Sequence, residues 1–232
     1  MTDSKPHSLL ITRVREQARN IRSFDMRPDV NLITFIPGQV AALRVEACDQ
    51  TSYFAFASAP EDPELEFLIK RNGGGGAGPL IYEMEPGNRV ELAAIAGHGF
   101  ALDEHRGKDL VFVAMGTGVA PLRSALRHAL GRAGDFGQIV VLYGARTPDD
   151  FCYRDETESW RAAGVELRQV ISSPAGYEWA GPVGYVQSLL DNVLPTLADP
   201  VALVCGSREM IEQTRERLRE MGFAPEAILT NH

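Results

Sequence analysis

Two stretches of different rhythm predict two domains: an N-terminal antiparallel β-barrel over residues 1–105, and a C-terminal α/β domain with a doubly wound parallel sheet over 106–232. Three observations carry this. Up to about residue 100 the apolar residues come in short or alternating runs separated by Pro and Gly. After that, buried-strand patterns alternate with helical ones. Where the rhythm changes, the turn Gly116-Thr117-Gly118-Val119-Ala120-Pro121 joins a strand to a helix.

In the first half, strands are expected around Leu9-Leu10-Ile11, Val40 to Glu46, Tyr53 to Ala57, Leu65 to Lys70 and Arg89 to Ile95. Pro37-Gly38, Pro60 to Pro63 and Pro86-Gly87 mark the turns between them. The run Asn72 to Gly78 leads into Pro79 to Met84, which has the make-up of one short helix with Pro in its first turn. A glycine-rich loop feeding a helix start suits an anion, and a flexible hairpin tip is the alternative.

In the second half, Asp109 to Ala114 reads as a strand, Val119 to Leu130 as a helix and Gln138 to Tyr143 as a strand. Asp149 to Ala163 is expected to be mostly helical, followed by a strand from Val165 to Val170. Helix, strand and helix continue over Val183 to Val193, Val201 to Cys205 and Ser207 to Met221. Ser207 is a capping residue and Gly222 a stop.

Composition narrows the function classes. The chain has 232 residues, 44% of them apolar, enough for packed cores. Its 23 Lys and Arg against 31 Asp and Glu give a net charge of −8, without the basic stripe that nucleic acid requires. The N-terminus has no uninterrupted apolar stretch, so a cytoplasmic protein with no membrane span is expected. Cys48, Cys152 and Cys205 are too scattered for a disulfide framework or an iron–sulfur site, and the histidines show no metal-ligand spacing.

Ligands of parallel sheets sit at the carboxyl ends of the strands, where Gly116, Thr117 and Gly118 would let the backbone approach a pyrophosphate. Pro121 is compatible with a first helical turn. Two later strands end in Tyr143-Gly144-Ala145-Arg146 and Cys205-Gly206-Ser207, which places glycines along the same edge. Tyr143 and Trp160 read as core residues, and Asp149-Asp150 and Arg154-Asp155-Glu156 as acids near a helix start.

Pro37-Gly38-Gln39, Ala57-Ser58-Ala59-Pro60, Pro86-Gly87, the Gly116 to Pro121 turn and Cys205-Gly206 occur in the order found in the ferredoxin–NADP reductase superfamily, which the chain resembles over nearly its whole length. The resemblance implies a flavin-binding barrel before a pyridine-nucleotide domain, with hydride passing from NAD(P)H to FAD and electrons onward to a separate protein or small-molecule acceptor. It implies that Gly116, Thr117, Gly118, Val119 and Pro121 form the pyrophosphate turn. Thr117 and Cys205, with Gly206, would lie at the nicotinamide as catalytic residues, Met210 would shape the adenosine side, and Arg146 would lie near the ribose or phosphates. On the flavin side it implies Phe54, Ala55, Phe56, Ala57, Ile69 and Lys70, and the loop Gly75, Gly76, Ala77 and Gly78. His232 stands where relatives place an aromatic residue over the flavin ring.

The flavin half departs from the family pattern. Where the family has Arg-x-Tyr-Ser, this chain has Ser52, Phe54 and Ala55 at the three named places, so only the aromatic is kept. Loss of a bidentate arginine–phosphate contact costs about 1.5–3 kcal/mol of cofactor binding. Lys70 or Arg71 could supply a replacement charge. These departures leave a second function open: a cofactor-poor, non-catalytic nucleotide-binding subunit of a larger assembly. The acids after Arg146 would repel a 2′-phosphate and favour NADH, whereas Arg146 itself favours NADPH.

Overall fold

The computed structural model describes residues 6–30, 33–71 and 76–231. Six strands form the first sheet: β1 (His7–Ala18), β2 (Ile21–Pro28), β3 (Val40–Val45), β4 (Cys48–Ala55), β5 (Leu65–Lys70) and β6 (Arg89–Ala96). Their order is β4-β3-β6-β1-β2-β5, antiparallel throughout. The sheet curls until its edge strands meet at a single bridge, Phe56 to Phe67. The short helix α1 (Gly78–Tyr82) lies between β5 and β6, with a proline in its first turn.

β1 runs well past the predicted Leu9 to Ile11, and β2 is absent from the sequence reading. Both misses have one cause. The two strands carry charges that pair across them: Arg13 and Arg15 each reach Asp25 at 2.9 Å, and Arg15 reaches Glu66 at 3.0 Å. Paired charges let polar residues occupy nearly buried positions, which hides the apolar alternation. The strands turn through Arg19-Asn20, a two-residue loop in which Asn20 has φ +60°, a conformation that asparagine tolerates.

The second sheet contains β7 (Asp109–Met115), β8 (Ile139–Ala145), β9 (Glu166–Ile171), β10 (Pro200–Cys205) and β11 (Ile228–Thr230). It is wholly parallel in the order β11-β10-β7-β8-β9. Alternate residues of β7 face opposite layers. Leu110, Phe112 and Ala114 pack toward α2 (Val119–Leu130) and α3 (Thr157–Ala162); Val111 and Val113 pack toward α4 (Leu190–Val193) and α5 (Arg208–Glu220). The α2-side core also takes in Ile21, Ala57, Leu68 and Phe100, so the two sheets meet through it, while the first sheet keeps a core of its own around Leu9, Phe24 and Phe67.

α2 has the bounds that the periodicity predicts, and Ser207 caps α5 by accepting the Met210 N–H at 3.2 Å. Two expected helices are broken. Asp149 to Ala163 holds only α3 and two 3-10 turns, because Phe151 to Tyr153 leave the helical region and Tyr153 has φ +56°. Val183 to Val193 shortens to a 3-10 turn and α4, with Gly184 at φ +148°. Tyr143 and Trp160 are core residues, as expected.

A buried cation lies where the two sheets meet. The Arg123 guanidinium on α2 donates to the Ala57 carbonyl at 2.7 Å, pairs with Glu156 at 2.5 and 2.9 Å and with Glu66 at 3.0 Å, and lies 4.4 Å from the centre of the Tyr153 ring. Replacing it with alanine leaves Glu156 without a charge partner and the buried Glu66 with Arg15 alone. The Arg123→Ala variant should lose about 3–5 kcal/mol of stability in denaturant unfolding. Arg123→Lys should fall between, since lysine keeps the charge but not the fork.

Candidate functional site

The carboxyl ends of β10, β7, β8 and β9 border a cavity of about 730 Å³, a volume within the range of small-molecule sites. Met115, Gly116, Thr117, Gly118, Gly144, Arg146, Ser172, Gly206 and Met210 line it from the second sheet. Arg19, Ile21 and Lys70 close it from the first, through the β1–β2 loop and the end of β5. Lys70, which the resemblance assigns to the flavin, lines this cavity. Arg71, the other suggested replacement charge, pairs with Glu83 at 2.6 Å and lies over Tyr82.

The glycine turn differs from expectation in one respect. Gly116 to Gly118 form a 3-10 turn continuous with α2, and the Val119 N–H is already bonded inside it. The donors available to an anion therefore come from Gly116, Thr117 and Gly118, while Val119 and Pro121 point their side chains into the core. Gly116 has φ +56° with open space around it. Gly118 is required for a different reason: an added Cβ would stand 2.6 Å from the Cys205 carbonyl carbon and closer still to its oxygen. Tyr143, buried beneath, donates its hydroxyl to the Gly116 carbonyl at 3.2 Å and accepts the Cys152 N–H at 3.1 Å. It positions the turn, a role that its apolar neighbours conceal in the sequence.

Cys205 ends β10 directly under this turn. Its Sγ lies 3.4 Å from Oδ1 of Asn231, a buried residue carried there by β11, which sequence reasoning missed. Three residues, Ile228 to Thr230, are too few for a periodic signal. Burial pushes the Cys205 thiol up to about 12 and the Cys152 thiol up to about 11. Both thiols are neutral at physiological pH, so Cys205 offers no thiolate, and its side chain is nearly covered while Gly206 and Ser207 just beyond it line the cavity.

The expected flavin-side residues divide. Phe56, Ala57, Ile69 and Ala77 are fully buried in the interior, and the Phe56 ring stacks on Phe35 at 3.9 Å, so their side chains are closed to a ligand. The backbone of Ala57 is spent as well, its N–H on the Glu66 carbonyl and its carbonyl on Arg123. Phe54 and Ala55 stay half-buried at the end of edge strand β4, beside exposed Tyr53. Gly76 and Gly78 face Ser52, whose Oγ accepts the Gly78 N–H at 2.9 Å. Gly75 and His232 lie outside the described residues.

Residues 112–216 match the family model described as the oxidoreductase NAD-binding domain. Over 235 aligned residues the chain is 32% identical to ferredoxin–NADP reductase B of Sorangium cellulosum, covering 96% of this chain and 95% of that one. The chain belongs to the ferredoxin–NADP reductase superfamily. It is accordingly an oxidoreductase of the NAD(P)H- and flavin-dependent kind. It is also 28% identical to the reductase component of propane 2-monooxygenase from Rhodococcus jostii, matching 94% of this chain and 61% of the longer relative. Among solved structures, a ferredoxin–NADP+ reductase from Neisseria gonorrhoeae with bound FAD and NADP has the same fold, with a TM-score of 0.84, 20% identity and 98% of each chain covered.

For a superfamily member, the dinucleotide group fits the cavity: Gly116 has room beside its backbone, Arg19, Lys70 and Arg146 stand in its walls, and its volume is of the right order. Gly118→Ala should raise the KM for NAD(P)H at least about tenfold by pushing the turn off β10, while Gly116→Ala, strained but unobstructed, should cost less. Steady-state kinetics of the two variants separate them.

The thiols give a second check. In native protein at pH 8 only half-buried Cys48 should react with a thiol reagent, and all three should react after unfolding. The two raised thiols stabilise the fold below the ordinary value of 9.0, and that contribution is lost as pH climbs through about 11 and 12.

Proposed function

We propose that this chain binds NADH along the carboxyl edge of the second sheet and delivers its hydride to a flavin seated at Phe54 and Ala55, from which electrons pass to a separate acceptor. In this reading residues 1–105 hold the flavin and residues 106–232 hold the pyridine nucleotide. The observation that carries it is the line of strand ends: Cys205-Gly206, Gly116 to Gly118, Gly144 to Arg146 and Ser172 follow one another across four adjacent parallel strands. An extended dinucleotide can lie across all four.

Thr117 and Gly118 amides hold the diphosphate, with Arg19, Lys70 and Arg146 supplying positive charge from the cavity walls. Cys205, kept neutral by burial and aligned by Asn231, packs against the nicotinamide and sets the face it presents. Ser172, beyond β9, borders the adenosine end, whereas Met210, packed against Gly206, lies at the β10 end. A bound flavin supplies the two-electron to one-electron chemistry; the chain supplies orientation and exclusion of water. On this role, Cys205→Ala lowers kcat more than it raises KM.

NADH is preferred because the cavity holds Asp150 and Glu209 alongside its cations. Asp150 closes a capping box with Thr147, accepting its N–H at 3.0 Å, and is thereby fixed at the cavity wall. A 2′-phosphate would meet these carboxylates, which offset the charge of Arg146 nearby. In an assay with added FAD and an artificial one-electron acceptor, kcat/KM for NADH should exceed that for NADPH by about tenfold or more. Equal values would remove the charge argument. Failure of NADH to bleach the flavin absorbance would favour the non-catalytic nucleotide-binding alternative that Ser52 and Ala55 motivate.

A further inference from the structure

We propose that Tyr185 is the base platform of the dinucleotide cavity, a specificity residue that stacks on adenine and anchors the half of NADH that takes no part in hydride transfer. The proposal rests on the dinucleotide reading above and deepens it.

Among the described residues, Tyr185 is the only aromatic side chain in the cavity wall. It is 68% exposed, more than any other large apolar side chain described. The other aromatic residues at this end of the sheet are spent in packing. Tyr143, Phe151 and Tyr153 are buried, and Trp179 stacks on Phe151 and donates its Nε1–H to the Pro182 carbonyl at 2.9 Å. A base entering the cavity therefore has one flat surface to lie on.

The backbone of Tyr185 is fixed from both sides. Before it, Val183 bridges to Ile171 at the end of β9, and the Gly184 N–H donates to the Ile171 carbonyl at 2.9 Å. After it, Val186 is buried so close to β8 that a Cβ added to Gly144 would stand 3.0 Å from the Val186 Cβ. The Tyr185 carbonyl accepts the N–H and the hydroxyl of Ser188, at 3.0 and 2.7 Å, and the Gln187 side-chain amide donates to Gln213 on α5. The ring itself is left to solvent. Stacking a base on it orders one side chain and no loop, so little of the interaction is lost to conformational entropy.

Its place along the sheet edge fits the same ligand. The glycine turn stands at the end of β7, Arg146 at the end of β8, and Tyr185 just beyond the bridge to β9. Neighbouring strands are about 4.8 Å apart, which puts the platform one to two strand spacings, roughly 5–10 Å, beyond the turn. With the diphosphate at the turn, the ribose lies beside Arg146 and the base reaches Tyr185.

Binding measurements separate the base from the rest of the nucleotide. Dissociation constants are measured by nicotinamide fluorescence for NADH and for reduced nicotinamide mononucleotide, which lacks the adenylate half, and by calorimetry for ADP-ribose, which lacks the nicotinamide. Tyr185→Ala should weaken NADH and ADP-ribose about tenfold or more, the size of one base–aromatic stack, and leave the mononucleotide within about twofold. Tyr185→Phe should keep the wild-type constants, since stacking uses the face of the ring and not its hydroxyl. Both variants should melt with the wild type, because the ring is exposed, and this separates stacking from a structural role. Equal weakening of NADH and the mononucleotide by Tyr185→Ala, or unchanged ADP-ribose binding, overturns the proposal and leaves the dinucleotide reading intact. Wild-type protein that binds neither NADH nor ADP-ribose overturns both.

Discussion

The structure depends on a charge placed where charges are costly. Arg123 is 4% exposed, and burial alone would lower its proton affinity, yet the hydrogen bonds and fields of Glu156, Tyr153 and Glu66 raise it. One of its partners is less settled: burial holds the Glu66 carboxyl above the usual carboxylate range despite Arg123 and Arg15 beside it. A network of this kind stabilises only when complete, because any missing member leaves a buried charge exposed to the low-dielectric interior. It specifies how the two sheets meet more than it adds net stability.

Arg123 also connects the interface to the site. It sits on α2, the helix that continues directly from the Gly116 to Gly118 turn, and its hydrogen bond fixes the Ala57 carbonyl just beyond β4. The same helix carries Arg127, which forks onto Asp62 at 2.8 and 3.0 Å, and His128, which meets Glu61 at 2.7 Å. The turn that would hold a diphosphate and the strand that would seat a flavin ring are thus referenced to one rigid element. Preorganisation of two reacting groups within fractions of an ångström requires such a common reference.

How much of this was legible in the sequence varied with the kind of signal. The second sheet was readable because parallel strands buried on both faces leave continuous apolar runs, as in Leu110 to Ala114, and because α2 keeps a clean helical period. β2 was hidden by Asp25 and its arginine partners, whose pairing across strands is invisible before the fold is known. Cys205 and the glycine turn were marked by local spacing, whereas Asn231 reaches Cys205 only through the pairing of β11 with β10. Lys70 was recognisable as a ligand-facing charge, but that it lines the cavity at the strand ends of the second sheet follows only from how the two sheets pack. The substitution at Ser52 was evident in the sequence; that its hydroxyl caps a helix was not.

The outer edge of β4 has an implication for handling the protein outside its working state. Among the described residues, that edge pairs with no other strand before the Phe56 to Phe67 bridge, and it displays Tyr53 to solvent. An unpaired strand edge carrying an aromatic residue is a template for association with other chains. Exposed Asp49 and Gln50 blunt one end of it, and the contact with α1 covers part of the rest. Loosening α1 would uncover more of this edge, so the contact between Ser52 and Gly78 bears on solubility as well as on local stability.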